Sequence, residues 1–106
     1  MSYELVYAPE ALEDLDRIWF EVWEAFRDFE TVDHYVEGLR EAIRKKNYPK
    51  TGHPLSFMGE FTGIYMVFYK VYTAFYRVRE SRIKVGRVLY SKSDYMKILL
   101  GEVRIG

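Results

Sequence analysis

Tyr72-Thr73-Ala74-Phe75-Tyr76-Arg77-Val78-Arg79, a break at Glu80-Ser81, then Arg82-Ile83-Lys84-Val85-Gly86-Arg87-Val88-Leu89-Tyr90 is the stretch that decides the fold. Both runs are rich in β-branched and aromatic residues, which favour strands. The short break predicts an antiparallel hairpin, although Glu80-Ser81 lacks the preferred Asn-Gly chemistry. Alternation puts Tyr72, Ala74, Tyr76 and Val78 on one face, and Thr73, Phe75, Arg77 and Arg79 on the other. In the second run Ile83, Val85, Arg87 and Leu89 alternate with Arg82, Lys84, Gly86, Val88 and Tyr90. One face is therefore expected to be core, and the other to carry much of the basic charge. Arg87 is in phase with apolar neighbours, and an unpaired buried charge is very costly. It needs a partner: Asp94 or an acid of the first helix, with Arg87–Asp94 the expected structural ion pair.

Working outward, Ile64–Tyr69 reads as another strand, joined through a turn at Lys70-Val71. Residues 47–63 contain Pro49, Gly52, Pro54, Gly59 and Gly63, which predicts an irregular, exposed connector. Upstream, Ala11, Leu12, Leu15, Ile18, Trp19, Val22 and Phe26 recur at helical spacing, with Pro9 at the first helical position. That helix is expected to end near Arg27-Asp28. A second helix fits Glu30 to about Lys46, with Val32, Tyr35, Val36, Leu39, Ala42 and Ile43 on its apolar face. Asp33 near its start and Arg44, Lys45 and Lys46 near its end follow the charge order a helix dipole favours. Tyr3–Tyr7 reads as a first strand, and Asp94–Leu100 as a short C-terminal helix or extended arm. The fold class is α+β, in the order β-α-α-β-β-β. A helical hairpin packs on a mainly antiparallel four-stranded sheet, in a single domain over 1–106.

The 106 residues are 49% apolar and 18% aromatic, which excludes a disordered chain. With no Cys, disulfide and thiolate chemistry are excluded and a cytoplasmic location is expected. Met1-Ser2-Tyr3-Glu4 shows no basic segment before an apolar run, so no secretory leader is expected, and no apolar stretch approaches a membrane span. The formal net charge of zero conceals an asymmetry. Residues 1–34 hold ten acids against Arg17 and Arg27, a balance of −8, and residues 35–106 have a balance of +8. The C-terminal half is thus a candidate basic face for an acidic partner or nucleic acid.

The closing stretch, Phe75-Tyr76-Arg77-Val78 followed by Ile83-Lys84-Val85-Gly86-Arg87-Val88-Leu89-Tyr90-Ser91-Lys92-Ser93-Asp94-Tyr95, resembles the closing signature of RelE/ParE toxins. In these, an "FYRV" strand leads to an "I-x-V-x-R-V-L-H" strand, a basic pair and Asp. The opening, Tyr7-Ala8-Pro9-Glu10-Ala11-Leu12-Glu13-Asp14-Leu15, is similar to the family's "Y-s-P-e-A-x-x-D-L" helix start. The resemblance spans nearly the whole chain and is closer to the ParE branch. It implies the toxin of a type II, plasmid-stabilisation toxin–antitoxin system, with a cognate antitoxin as partner, no cofactor and a homodimer as an option. The ParE branch inhibits DNA gyrase by binding, whereas the RelE branch cuts messenger RNA on the ribosome. Here Tyr90 replaces the His of many relatives, Thr73 stands where the ribonuclease branch often has Arg, and Lys92-Ser93 keeps half of the basic pair. RNA cleavage of this type needs a base, an acid and phosphate-binding cations, so these departures favour the gyrase reading.

The expected antitoxin or target surface is Arg77, Arg79, Arg82, Lys84 and Lys92, with Trp23 as an edge contact. The ribonuclease alternative would use Tyr90, Arg77, Lys92 and Tyr95 as catalytic candidates. A non-toxic relative serving as a binding module is the third reading. His34 and His53 fit no metal motif. The acids of the first helix read as a solvated face and a dipole-favoured first turn. Trp19 reads as core.

Overall fold

The structure is a computed structural model that describes residues 3–45 and 52–101. Strand β1 (Glu4–Tyr7) leads into helix α1 (Pro9–Phe26), whose Pro9 opens the first turn. The helix stops at Arg27, left-handed at φ 56°, whose N–H bonds to the Trp23 carbonyl. Asp28 then caps α2 (Phe29–Arg44) by accepting from the Thr31 amide at 3.2 Å, satisfying a donor left open at a helix start. Both helices have the expected apolar stripes. On α1, Ala11, Leu15, Ile18 and Val22 are buried, but Leu12 and Phe26 are 45% and 55% exposed. They fall on the flank of a contact face narrower than the stripe in the sequence. Trp19 is half-buried and its indole donates to Asp33 at 3.3 Å.

Strands β2 (His53–Phe57), β3 (Glu60–Tyr69), β4 (Tyr72–Arg79) and β5 (Arg82–Tyr90) complete the sheet, and α3 (Tyr95–Leu100) closes the described chain. The strand order is β1-β5-β4-β3-β2, with β1 parallel to β5 and the other pairs antiparallel. Among the described residues the sheet therefore has five strands rather than four. The added strand lies in the stretch read as an irregular connector, of which residues 47–51, including Pro49, lie outside the described residues, as does Lys46 at the expected end of the second helix.

The overlooked signal is the two-residue turn Met58-Gly59, with φ of 54° and 82°. Positive φ at both positions is the primed hairpin geometry, which Gly accepts freely and Met does not. Met58 is 87% exposed, so its side chain offers no compensating burial. Met58→Asn, which tolerates the left-handed region, is expected to stabilise the protein by about 0.5–1 kcal/mol. A rise of about 3–6 °C in thermal midpoint is the readout, and an unchanged midpoint would mean that the turn is not strained.

The helices cover one face of the sheet. Their core is built with Val67, Tyr72, Ala74, Tyr76, Ile83, Val85 and Val88. The opposite face holds a second, smaller core of Leu55, Ile64, Phe75 and Leu89, on which Tyr95, Met96 and Leu99 of α3 rest. This face is thus half apolar and half basic, rather than basic throughout.

The alternation expected for β5 breaks at Gly86. Arg87 pairs with Phe75 and Val85 with Tyr76, so Gly86 is an extra residue, a β-bulge. Before it, Ile83 and Val85 face the helices. After it, Val88 pairs with Ala74 and Tyr90 with Tyr72 on that side, while Arg87 and Leu89 pair with Phe75 and Thr73 of the other. The expected shared phase of Ile83, Val85, Arg87 and Leu89 is therefore corrected by one inserted residue, because each strand residue alternates face.

Candidate functional site

The bulge and the shortness of β1 create the most unusual part of the molecule. β1 pairs with β5 only from Arg82 to Val85, leaving the rest of that β5 edge to be satisfied by other groups. Side chains of α1 do so. Asp14 accepts the Val88 amide at 2.9 Å, and Arg17 donates to the Val88 carbonyl at 3.3 Å. The Asp14 carboxylate also accepts from Arg87 Nε at 2.7 Å and Nη2 at 3.0 Å, and from Arg17 at 2.8 Å. It is only 2% exposed.

Burial alone would raise the Asp14 pKa, but the hydrogen bonds from Arg87, the Val88 amide and Arg17 outweigh it and hold the carboxyl below its ordinary range. The hydrogen bond to Asp14 raises the Arg87 pKa in turn, against a smaller opposing effect of burial. The partner of Arg87 is therefore Asp14, the helix-one alternative, and not Asp94, which occupies the N-cap position of α3. Asp14 is also not part of a solvated acidic face. It lies between Ala11 and Ile18 on the buried stripe, which was the signal for it in the sequence.

On the face of the sheet opposite the helices, Arg77 pairs across the strands with Lys84, and Arg79 with Arg82. All four are exposed and lie on one side of the sheet. Arg77 reaches the Thr62 carbonyl at 3.2 Å, over Gly63 at φ +84°. A Cβ at Gly63 would come within 3.0 Å of that guanidinium. Arg82 pairs with Glu4 at 3.0 Å, whereas Arg77, Arg79 and Lys84 make no ion pair among the described residues. Next to them is a cavity of about 300 Å3, walled by Ile64, Phe75 and Leu99, where Arg77, Lys84 and Arg87 converge. Like charges placed directly opposite on adjacent strands destabilise a sheet, so this arrangement suits binding of an anionic surface better than it suits folding.

The remaining candidates are dispersed. Tyr90 lies on the helix side against Tyr72, ring centroids 6.3 Å apart. Arg77 is on the other face, toward the opposite end of β4. Tyr95 packs on Phe75 at 5.1 Å, and Lys92 is exposed in the turn after β5. Thr73 is 1% exposed, its hydroxyl 2.7 Å from that of Ser91. Trp23 belongs to the helical layer, stacked on Phe29 at 4.5 Å, with the Arg27 guanidinium 5.9 Å from its ring centroid. Among the described residues, no cluster of three or more His, Asp or Glu side chains could hold a metal ion, and no helix is long and apolar enough to cross a membrane.

A family model described as the ParE toxin of the type II toxin–antitoxin system parDE matches residues 5–95. No curated protein matches. Among solved structures, a chain of the chromosomal ParDE toxin–antitoxin system from P. aeruginosa superposes with a TM-score of 0.70 at 18% identity, over 85% of this chain and 97% of that one. A chain of the RelBE2 toxin–antitoxin complex from Mycobacterium tuberculosis gives 0.56 at 16% identity, over 85% and 92%. At these identities the likeness is one of fold.

Proposed function

The chain belongs to the ParE toxin family of type II toxin–antitoxin systems, and on that premise we propose that it arrests growth by binding DNA gyrase and is silenced by a cognate antitoxin. The observation that carries this reading is the separation of the nuclease candidates. A ribonuclease must bring a base, an acid and a cation to a single phosphate. Tyr90 and Arg77 occupy opposite faces of the sheet, and Thr73, at the position where the ribonuclease branch often has Arg, is a buried threonine. A binding surface needs no such convergence. The paired cations Arg77, Lys84, Arg79 and Arg82 supply a continuous one, which an acidic antitoxin segment can cover.

The test is to induce the chain alone in a bacterial host and follow DNA and protein synthesis separately. Early arrest of DNA synthesis, with translation intact, is expected. Early arrest of translation with messenger cleavage would overturn the reading in favour of a ribosome-dependent ribonuclease. Normal growth with soluble, folded protein would favour a non-toxic relative. Tyr90→Phe is expected to leave the arrest unchanged. A tenfold or larger loss, with the fold intact by circular dichroism, would assign Tyr90 an acid–base role.

A further inference from the structure

The helix side of the molecule carries a second concave surface, of opposite sign. A cavity of about 700 Å3 lies between the α1–α2 junction and the β3–β4 turn, walled by Phe26, Tyr35 and Tyr69 and rimmed by Asp28 and Glu30. A second hollow of about 330 Å3 adjoins it, sharing Phe26, Tyr35 and Lys70 and adding Glu21, Ala25 and Val71. Sharing these three residues, the two hollows form one continuous groove open to solvent.

Its walls are unusual for solvent-facing surface. Phe26 is 55% exposed and Val71 48%. Tyr35 and Tyr69 stand at 86° to each other with centroids 5.5 Å apart, forming two walls of a cage. The cation already there comes from the protein itself. Lys70 Nζ lies 5.5 Å from the Tyr69 centroid and 5.9 Å from that of Tyr35, within the range in which an aromatic face attracts a cation. Lys70 sits at a left-handed φ of 51°, a conformation in which its Cβ crowds the backbone. Glu30 makes no ion pair among the described residues.

We propose that this groove is a second docking surface, which takes an arginine or lysine side chain presented by a segment of a partner protein, that cation displacing Lys70 from the two tyrosine rings. Charge complementarity carries the assignment. The aromatic faces and the Glu30 carboxylate attract cations; Asp28, which caps α2, and Glu21, which accepts from Tyr72 Oη at 2.8 Å and pairs with Arg17 at 3.5 Å, add negative charge to the rim, and the apolar Phe26 and Val71 receive the flanking side chains. Two adjoining open hollows of about 700 and 330 Å3 suit a peptide segment better than a small amine, which a closed cage would hold. The groove lies at the end of β4 away from Arg79, about 25 Å along the strand, so the two surfaces can be occupied independently.

The probe is a fluorescein-labelled, end-capped hexapeptide of alternating arginine and leucine, titrated into the full chain by fluorescence anisotropy. Binding is expected to weaken about tenfold when citrulline replaces arginine, and about threefold in Glu30→Gln. Lys70→Gln should tighten it about threefold by removing the internal competitor. Lys84→Gln, which removes the same charge from the other face, should leave it unchanged. Equal effects of Lys70→Gln and Lys84→Gln would overturn the proposal, because binding would then follow net charge alone. No binding, or weaker binding in Lys70→Gln, would also overturn it. Displacement of the peptide by equimolar spermine would show a small-amine site instead of a protein-docking surface. A dimer of the chain alone that Glu30→Gln dissociates would show that the occupant is a second copy.

Discussion

Asp14→Ala is expected to destabilise the protein by about 2–4 kcal/mol, although it changes one acid among several on the same helix. The buried carboxylate is shared by Arg87, Arg17 and the Val88 amide. Its removal leaves a partly buried guanidinium without its counter-charge and a strand amide without an acceptor. The Arg87 side chain is 32% exposed, so water recovers part of the loss, which keeps the estimate below the upper end for a broken buried pair. Asp16→Ala, an exposed acid on the same helix, should stay within about 0.5 kcal/mol. Urea titration of both variants separates the cases, and equal losses would mean that Asp14 acts only as helix surface.

The same carboxylate imposes a pH dependence of known sign. Its folded pKa lies below the ordinary 3.8. Its stabilising contribution is therefore fully present above about pH 4, and is lost as pH falls from there through the depressed folded value. The acid limb of a stability–pH curve should be shallower in Asp14→Ala than in the wild type.

Arg79→Glu combined with Lys84→Glu is expected to slow capture by the cognate antitoxin about 10- to 100-fold at low salt, and far less at high salt. The reversed charges sit among the cations that would steer an acidic segment toward the face. Arg79 opposes Arg82 and Lys84 opposes Arg77, so the double variant also turns two like-charge pairs into opposite-charge pairs. Folding stability should rise by about 0.5–1 kcal/mol. The joint signature, a more stable protein that associates more slowly, distinguishes a binding role from damage to the fold. Stopped-flow association at two salt concentrations, with a thermal melt, measures both. An unchanged association rate would remove this face from the antitoxin interface.

Much of this was legible in the chain. The alternating runs 72–79 and 82–90 and their short break set β4 and β5 to their observed bounds, and the helical spacing of Ala11, Leu15, Ile18 and Val22 set the buried face of α1. Alternation grouped Arg77 with Arg79 and Arg82 with Lys84, and the β4–β5 register puts the two groups on one face. These are properties of near neighbours, and period and turn chemistry record them directly. β2 escaped notice because Pro54 and the glycines read locally as loop, while the strand exists through its pairing with β3. The bulge at Gly86 shows only in the register against β4, and it reversed the faces of Val88, Leu89 and Tyr90. Only the tertiary structure joined Asp14 to Arg87 and the Val88 amide, separated Tyr90 from Arg77, and brought Lys70 over Tyr35 and Tyr69. Each depends on where a strand ends or a bulge falls relative to a distant element, and hydrogen-bond donors left open by one segment are satisfied by another far away in sequence.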